Sequence, residues 1–309
     1  MAFAYKTKKG IESNMINVFF GLSNEFAKYC ATTIASILVN HEKSSSKEKI
    51  HFFLLGNLTQ KNKDTILKLK KIQDFDCSFI SANTPELKKI PLNGMNLATL
   101  YKLLSIEALP GNVDKVIALD SDMVFNDDIS KLWNINIDDY YLAAVKDADI
   151  SKEYKNYKET YFNAGVMVIN IKKLKEAGFS KKWKDFVNNE KNTRELKFCE
   201  QDIFNILITD KVYFLPNIYN MSRGHCLASS KEIIENTIVA HFAGNKPWQP
   251  TCIHPLKDLY FKYEAFSPSK RSKTRHYAEY FLGFMIKKPL FLFKKGFYGK
   301  LKNFIFKKQ

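Results

Sequence analysis

The sequence contains no CxxC pair, and its five cysteines, Cys30, Cys77, Cys199, Cys226 and Cys252, are odd in number and widely scattered. That pattern excludes a fully paired disulfide framework and a zinc ribbon, and fits a reducing compartment. No apolar run reaches the roughly 18 residues of a membrane span. The longest near-candidate, Tyr277 to Phe293, is interrupted by Lys287 and Lys288. The N-terminus carries Lys6, Lys8 and Lys9, but no uninterrupted apolar stretch of signal-peptide length follows. Internal repeats and RNA- or DNA-binding motifs are also missing. The expectation is a cytoplasmic protein that meets a membrane only peripherally, on its inner face.

Acid is scarce in one place. The chain carries a formal charge of +16 over 309 residues. From Ser267 to Gln309 there are twelve Lys/Arg against a single acid, Glu279, so most of the excess lies in the tail. That tail interleaves its cations with aromatics such as Tyr280, Phe281, Phe291, Phe297 and Phe304. Basic and aromatic residues on amphipathic helices suit an anionic bilayer surface; a soluble appendage or an oligomer contact is the alternative. Three segments are expected: a basic N-terminal tail over 1–14, an enzyme-sized domain over 15–266, and a basic-aromatic segment over 267–309. With 45% hydrophobic residues, the middle segment can bury a core without covalent or metal staples.

Within it, apolar runs alternate with helical patterns. Ile16–Phe20, His51–Leu55, Cys77–Ile80, Val113–Leu119, Tyr141–Val145, Gly165–Asn170, Val212–Leu215 and Ile238–His241 read as strands. Helices are expected through Tyr29–Leu38, Gln60–Ile72, Thr99–Ala108, Lys172–Asn188 and Gln201–Ile208. The alternation indicates an α/β domain with a parallel sheet and helices on its faces.

Four segments carry chemistry. Asp120-Ser121-Asp122 follows a buried strand directly. Two carboxylates spaced i, i+2 at the carboxyl end of a strand can share one divalent cation, while phosphate oxygens complete its shell; a solvated turn is the bland alternative. Tyr161–Asn170 puts Asn163 before Gly165 at a strand entrance, where an amide can meet sugar hydroxyls or simply turn the chain. His241-Phe-Ala-Gly-Asn-Lys246 ends a strand with an imidazole, then supplies a glycine and a lysine suited to a diphosphate; the histidine alone also fits a core role. Glu200-Gln201-Asp202 opens a helix, where an acid is also an ordinary dipole partner. His51, His225 and His254 have no such neighbours.

LDSD, YFNAGVMVIN, EQD and HFAGNKPW in this order resemble glycosyltransferase family 8, a retaining group that includes bacterial lipooligosaccharide galactosyltransferases and glycogenin. The resemblance runs from about Ile16 to Lys257. It implies a single GT-A, Rossmann-like α/β domain with a mixed central sheet; the basic-aromatic segment after it is expected to be a helical C-terminal extension. It implies a Mn²⁺ (or Mg²⁺) ion held by Asp120, Asp122 and His241. It implies a UDP-sugar donor held by Gly21, Leu22, Ser23, Phe26, Lys102, Asp120, Ser121, Asn163, Gly244, Asn245 and Lys246. Phe26 would stack on uracil, Lys102 and Asn163 would contact the sugar, and Gly244 and Lys246 would hold the diphosphate. Gln201, Asp202 and Asn163 would serve catalysis. Two departures stand out: the family usually has an aspartate where this chain has Ser23, and the loop from His241 to Lys246 is one residue shorter.

The expected reaction is front-face transfer of galactose or glucose, with retention, to a saccharide or lipid-linked saccharide acceptor of the lipopolysaccharide type. The departing phosphate would act as base, Gln201 would stabilise the positive sugar, and Asp202 would orient the acceptor. Three other readings remain: a nucleic-acid-binding protein using the basic tail, disfavoured because the charge is confined there; a metal-dependent nucleotidyltransferase, which needs a further carboxylate at the cation; and a catalytically silent sugar-nucleotide binder.

Overall fold

The computed structural model describes residues 15–46, 48–82, 85–148, 160–208 and 210–287. The expected N-terminal tail, and the part of the basic-aromatic segment beyond residue 287, lie outside the described residues.

Among the described residues, nine strands form two sheets. They are β1 (Met15–Gly21), β2 (Lys49–Leu55), β3 (Asp76–Ile80), β4 (Lys115–Leu119), β5 (Met123–Phe125), β6 (Leu142–Lys146), β7 (Phe162–Asn170), β8 (Val212–Phe214) and β9 (Val239–His241). The main sheet has the order β3-β2-β1-β4-β7-β6-β8, and β5 pairs with β9 apart from it. β1 is buried on both faces, hence its almost unbroken apolar sequence. Its side chains alternate between two cores: Ile16, Val18 and Phe20 pack with the helix Ala27–Lys43, and Phe19 packs on the other face with Leu100, Leu103 and Leu104.

The sheet is mixed, and the wholly parallel sheet suggested by helix–strand alternation is corrected in one strand. β1 runs parallel to β2 and β4, and β2 parallel to β3. β7 is antiparallel to β4 and to β6. Because β7 is reversed, its first residues stand at the edge where β4 ends: Leu119 pairs with Val166, and the Asp120 amide donates to the Gly165 carbonyl at 2.9 Å. A parallel strand would have carried Asn163 to the opposite edge.

Helix lengths also differ from the sequence pattern. Thr99–Ala108 is mostly 3-10, running Leu97–Leu104 before a short α turn Ser105–Ala108; Asn96 caps it by accepting from the Ala98 amide. Gln60–Leu67 tightens into a 3-10 turn over Lys68–Lys71. The expected helix Lys172–Asn188 is two helices, Ile171–Glu176 and Phe179–Asn188, divided by Gly178 at a left-handed φ of 66°.

Packing continues past residue 266. Ser267 is buried, and in the helix Lys273–Lys287 the imidazole of His276 is buried 2.7 Å from Glu264. No helix among the described residues is long and apolar enough to cross a membrane.

Candidate active site

The chain leaves β4 through Asp120-Ser121-Asp122 and at once enters β5. β5 pairs antiparallel with β9, Met123 opposite His241, which brings the imidazole alongside Asp122. The Phe242 amide donates to the Asp122 carbonyl at 3.0 Å. From the helix Ala27–Lys43, the Thr33 hydroxyl reaches the carbonyls of Ser121 (3.1 Å) and Met123 (2.8 Å), fixing the loop from behind. Ligand atoms of Asp120, Asp122 and His241 all lie within 4.8 Å of one another. His241 Nε2 stands 3.5 Å from Asp120 Oδ2 and 3.5 Å from Asp122 Oδ1. Two hard carboxylates and an imidazole at this separation fit a manganese- or magnesium-type ion.

Two lysines flank the acids. Lys102 pairs with Asp120 and also donates to the Ala164 carbonyl at 2.6 Å. Lys246 pairs with Asp122 and donates to the Phe242 carbonyl at 3.1 Å. Burial works to raise the Asp122 carboxyl, but the charge of Lys246, with His241 beside it, more than offsets this and holds the group well below the ordinary carboxylate range.

The acids open onto a cleft of about 870 Å³. Gln201 lies in its wall: its Oε1 accepts from the Ala164 amide (2.9 Å) and its Nε2 donates to Asp147 (3.2 Å). Asn163 donates to the same Asp147 oxygen at 2.9 Å and accepts from the Gly165 amide at 2.9 Å. Glu200 is buried in the wall, and burial pushes its carboxyl up to about 7; Lys102 opposes the shift and Asp120 adds to it. Gly165 meets the site as well: a Cβ there would stand 2.8 Å from His241 Nδ1 and 2.8 Å from Asn163 Oδ1.

Gly21, Ser23, Phe26, Asp120, Ser121, Asp122, Asn163, Gln201, His241, Gly244 and Lys246 all line this cleft. Ser23 accepts from Asn96 at 3.3 Å, and Phe26 lies edge-on to Tyr29 and Trp248. Four of the expected site residues are not in the cleft's lining. Leu22 is a core residue; its amide donates to the Leu55 carbonyl. Asn245 is exposed, and its side chain reaches only the Thr251 carbonyl, at 3.4 Å. Lys102, 2% exposed, lies beneath the cleft floor with its ammonium drawn to Asp120 and the Ala164 carbonyl, so it supports Asp120 from below. Asp202, 1% exposed, is turned into a second cavity of about 240 Å³, where it accepts from the Tyr161 hydroxyl and from the amides of Lys197 (2.7 Å) and Phe198 (2.9 Å).

Several lining residues had little sequence signal. Asp147 was findable, since it follows β6 at a strand's carboxyl end. His225 lines the cleft despite its plain sequence context; its nitrogens meet Ser222 at 3.0 Å and the Lys146 carbonyl at 2.9 Å, within a capping box. Asn220, fully buried behind the lining and 2.8 Å from His241 Nδ1, had none.

A mixed seven-stranded sheet whose central strand ends in two aspartates is a GT-A-type fold, and the family match places it among the glycosyltransferases. The chain belongs to glycosyl transferase family 8, whose model matches residues 17–252. A Haemophilus influenzae protein named only as a glycosyltransferase is 31% identical over 257 residues, covering 78% of this chain and 76% of its own length. The lipopolysaccharide 1,2-glucosyltransferase of Escherichia coli is 25% identical over 287 residues, 83% of this chain and 80% of its own. The crystal structure of the galactosyltransferase LgtC, in complex with donor and acceptor sugar analogues, superposes with a TM-score of 0.71 over 84% of this chain and 99% of that one, at 22% identity. That likeness bears on the fold.

Proposed function

We propose that this chain transfers galactose or glucose from a UDP-sugar, with retention of configuration, to a saccharide acceptor of the lipopolysaccharide type. The observation that carries the reading is the convergence of Asp120, Asp122 and His241 at the mouth of a cleft large enough for a nucleotide sugar. Those three residues would hold Mn²⁺ or Mg²⁺, which supplies positive charge against a diphosphate leaving group. Ser23, Phe26 and the Ser121 backbone would hold the nucleoside. Lys246 and Gly244 would face the diphosphate, with Lys246 moving off Asp122 to do so. Asn163 and Gln201 would face the sugar, and the amide of Gln201 would sit against the positive charge that develops at the anomeric carbon.

The three-part division of the chain, with residues 15–266 as the transferase domain and the basic-aromatic segment docking on an anionic membrane from the cytoplasmic side, belongs to the same proposal. The relatives that act on lipopolysaccharide support it.

The test is a panel of nucleotide sugars with manganese, with and without chelator, read as nucleoside diphosphate release. The expected result is release that depends on the ion and is strongest with UDP-galactose or UDP-glucose. An inverted anomer in the product NMR spectrum, or turnover indifferent to chelator and to replacement of all three ligands, overturns the scheme.

A further inference from the structure

A chain of hydrogen bonds leads from the reacting side of the cleft to the imidazole, and backbone amides fix its direction. The Gly165 N–H can only donate, so the oxygen of Asn163 it meets at 2.9 Å must be the side-chain carbonyl. Asn220 meets that same oxygen at 2.9 Å and must therefore present its NH₂. Its own carbonyl is thereby turned to His241 Nδ1, 2.8 Å away. A carbonyl only accepts, so Nδ1 carries a proton, which leaves Nε2, 3.5 Å from both Asp120 and Asp122, as the nitrogen that can offer a lone pair to a cation. At the other end the Ala164 amide fixes Gln201 in the same way, and Gln201 and Asn163 share the Asp147 carboxylate. Asn220 is fully buried, so neither half of its amide has water as a substitute partner.

We propose that Asn220 is a positioning residue of the cation site: it holds the His241 proton on Nδ1, so that Nε2 is a ready ligand, and ties that histidine through Asn163 and Asp147 to Gln201. The inference rests on the cation reading of Asp120, Asp122 and His241. Partners that hold the far nitrogen of a ligating histidine set its tautomer, and their loss typically costs about 10–100-fold in metal affinity. Here the same amide also reaches toward the sugar side, so the ligand's orientation and the placement of Asn163 depend on one side chain.

The test uses full-length protein labelled with ¹⁵N-histidine, metal-free, at a pH well above the ordinary imidazole value of about 6.5. The His241 signals are assigned by their loss in His241→Ala. Long-range ¹H–¹⁵N spectra of the wild type should show the proton on Nδ1; a proton on Nε2 overturns the proposal without any variant. Asn220→Asp keeps an acceptor on Nδ1 and should retain both the tautomer and manganese uptake by calorimetry. Asn220→Ala, checked for folding by circular dichroism, should lose the fixed tautomer and about 10–100-fold in manganese affinity. Wild-type affinity in Asn220→Ala removes the role of Asn220 while leaving the cation site standing. A wild type that takes up no manganese sinks the cation reading and with it the role of Asn220, even with the proton found on Nδ1.

Discussion

The Tyr161 hydroxyl donates to Asp202 away from the cleft, and the other oxygen of that carboxylate gathers the amides of Lys197 and Phe198. The result is a tight turn, closed by the Gln201 amide on the Phe198 carbonyl at 3.0 Å, with Cys199 at φ 50° and ψ −119°. A side chain other than glycine there is strained by about 1–3 kcal/mol. Asp202 offsets that strain, and the turn it closes aims Glu200 and Gln201 into the cleft. Asp202→Ala should therefore lower stability by about 2–3 kcal/mol, the scale of buried hydrogen bonds to a charged group, and reduce kcat through Gln201. Urea unfolding and steady-state kinetics check both. A variant of normal stability with only a raised acceptor KM would return Asp202 to an acceptor role.

Gly165→Ala should disturb the imidazole more than the sheet. The added methyl would press on His241 Nδ1 and Asn163 Oδ1, each held by hydrogen bonds and unable to give way. Overpacking of this kind costs about 1–3 kcal/mol. The expected outcome is a modest fall in Tm together with a clear loss of manganese affinity by calorimetry. A fall in Tm with unchanged ion uptake would separate His241 from the cation.

Glu200 makes stability depend on pH in a particular direction. Its carboxyl is raised from an ordinary 4.5 to about 7, chiefly by burial. The folded state thus holds the proton more tightly than the unfolded state. Its contribution is fully favourable below about pH 4.5, falls as pH rises through the interval to about 7, and stays reduced above it. The loss is on the order of 3 kcal/mol. Glu200→Gln, measured in metal-free protein, should flatten the decline across that window relative to wild type. Parallel stability curves for the two proteins would show that the carboxylate is charged in both states.

Much of this site was legible because its residues lie beside strands that announce themselves. Asp120 and Asp122 follow an apolar run, and His241 closes another. What the pattern could not supply was strand direction. Periodicity reports that β7 is a buried strand, not that it runs against its neighbours, and that reversal is what sets Asn163 beside Asp120. Nor could it tell which side of a helix faces the cleft. Gln201 and Asp202 are adjacent in sequence and on opposite business, one in the cleft wall and one beneath the turn. Lys102 reads as a donor contact by motif, yet burial places it under the floor. Asn220 left no trace, because an asparagine in a connecting segment looks the same whether it caps a turn or orients a histidine.

Glu264 and His276 are each 3% exposed and lie 2.7 Å apart, linking the helix Lys257–Glu264 to the helix Lys273–Lys287. A chain cut after Phe266 keeps Glu264 but removes its partner, leaving an acid in an apolar setting beside Tyr260 and Tyr263. Breaking one side of a buried pair of this kind costs about 3–5 kcal/mol. A chain cut after Lys287 keeps the pair and removes seven lysines of the basic tail, Lys288, Lys294, Lys295, Lys300, Lys302, Lys307 and Lys308. The shorter chain, cut after Phe266, should unfold at a markedly lower temperature than the wild type. The longer one should keep wild-type stability and turnover on a soluble acceptor while losing sedimentation with anionic phosphatidylglycerol vesicles, and added salt should weaken wild-type sedimentation because surface charge attraction is screened. Vesicle binding retained after the cut at Lys287 would assign the membrane contact to the body or to the helix Lys273–Lys287.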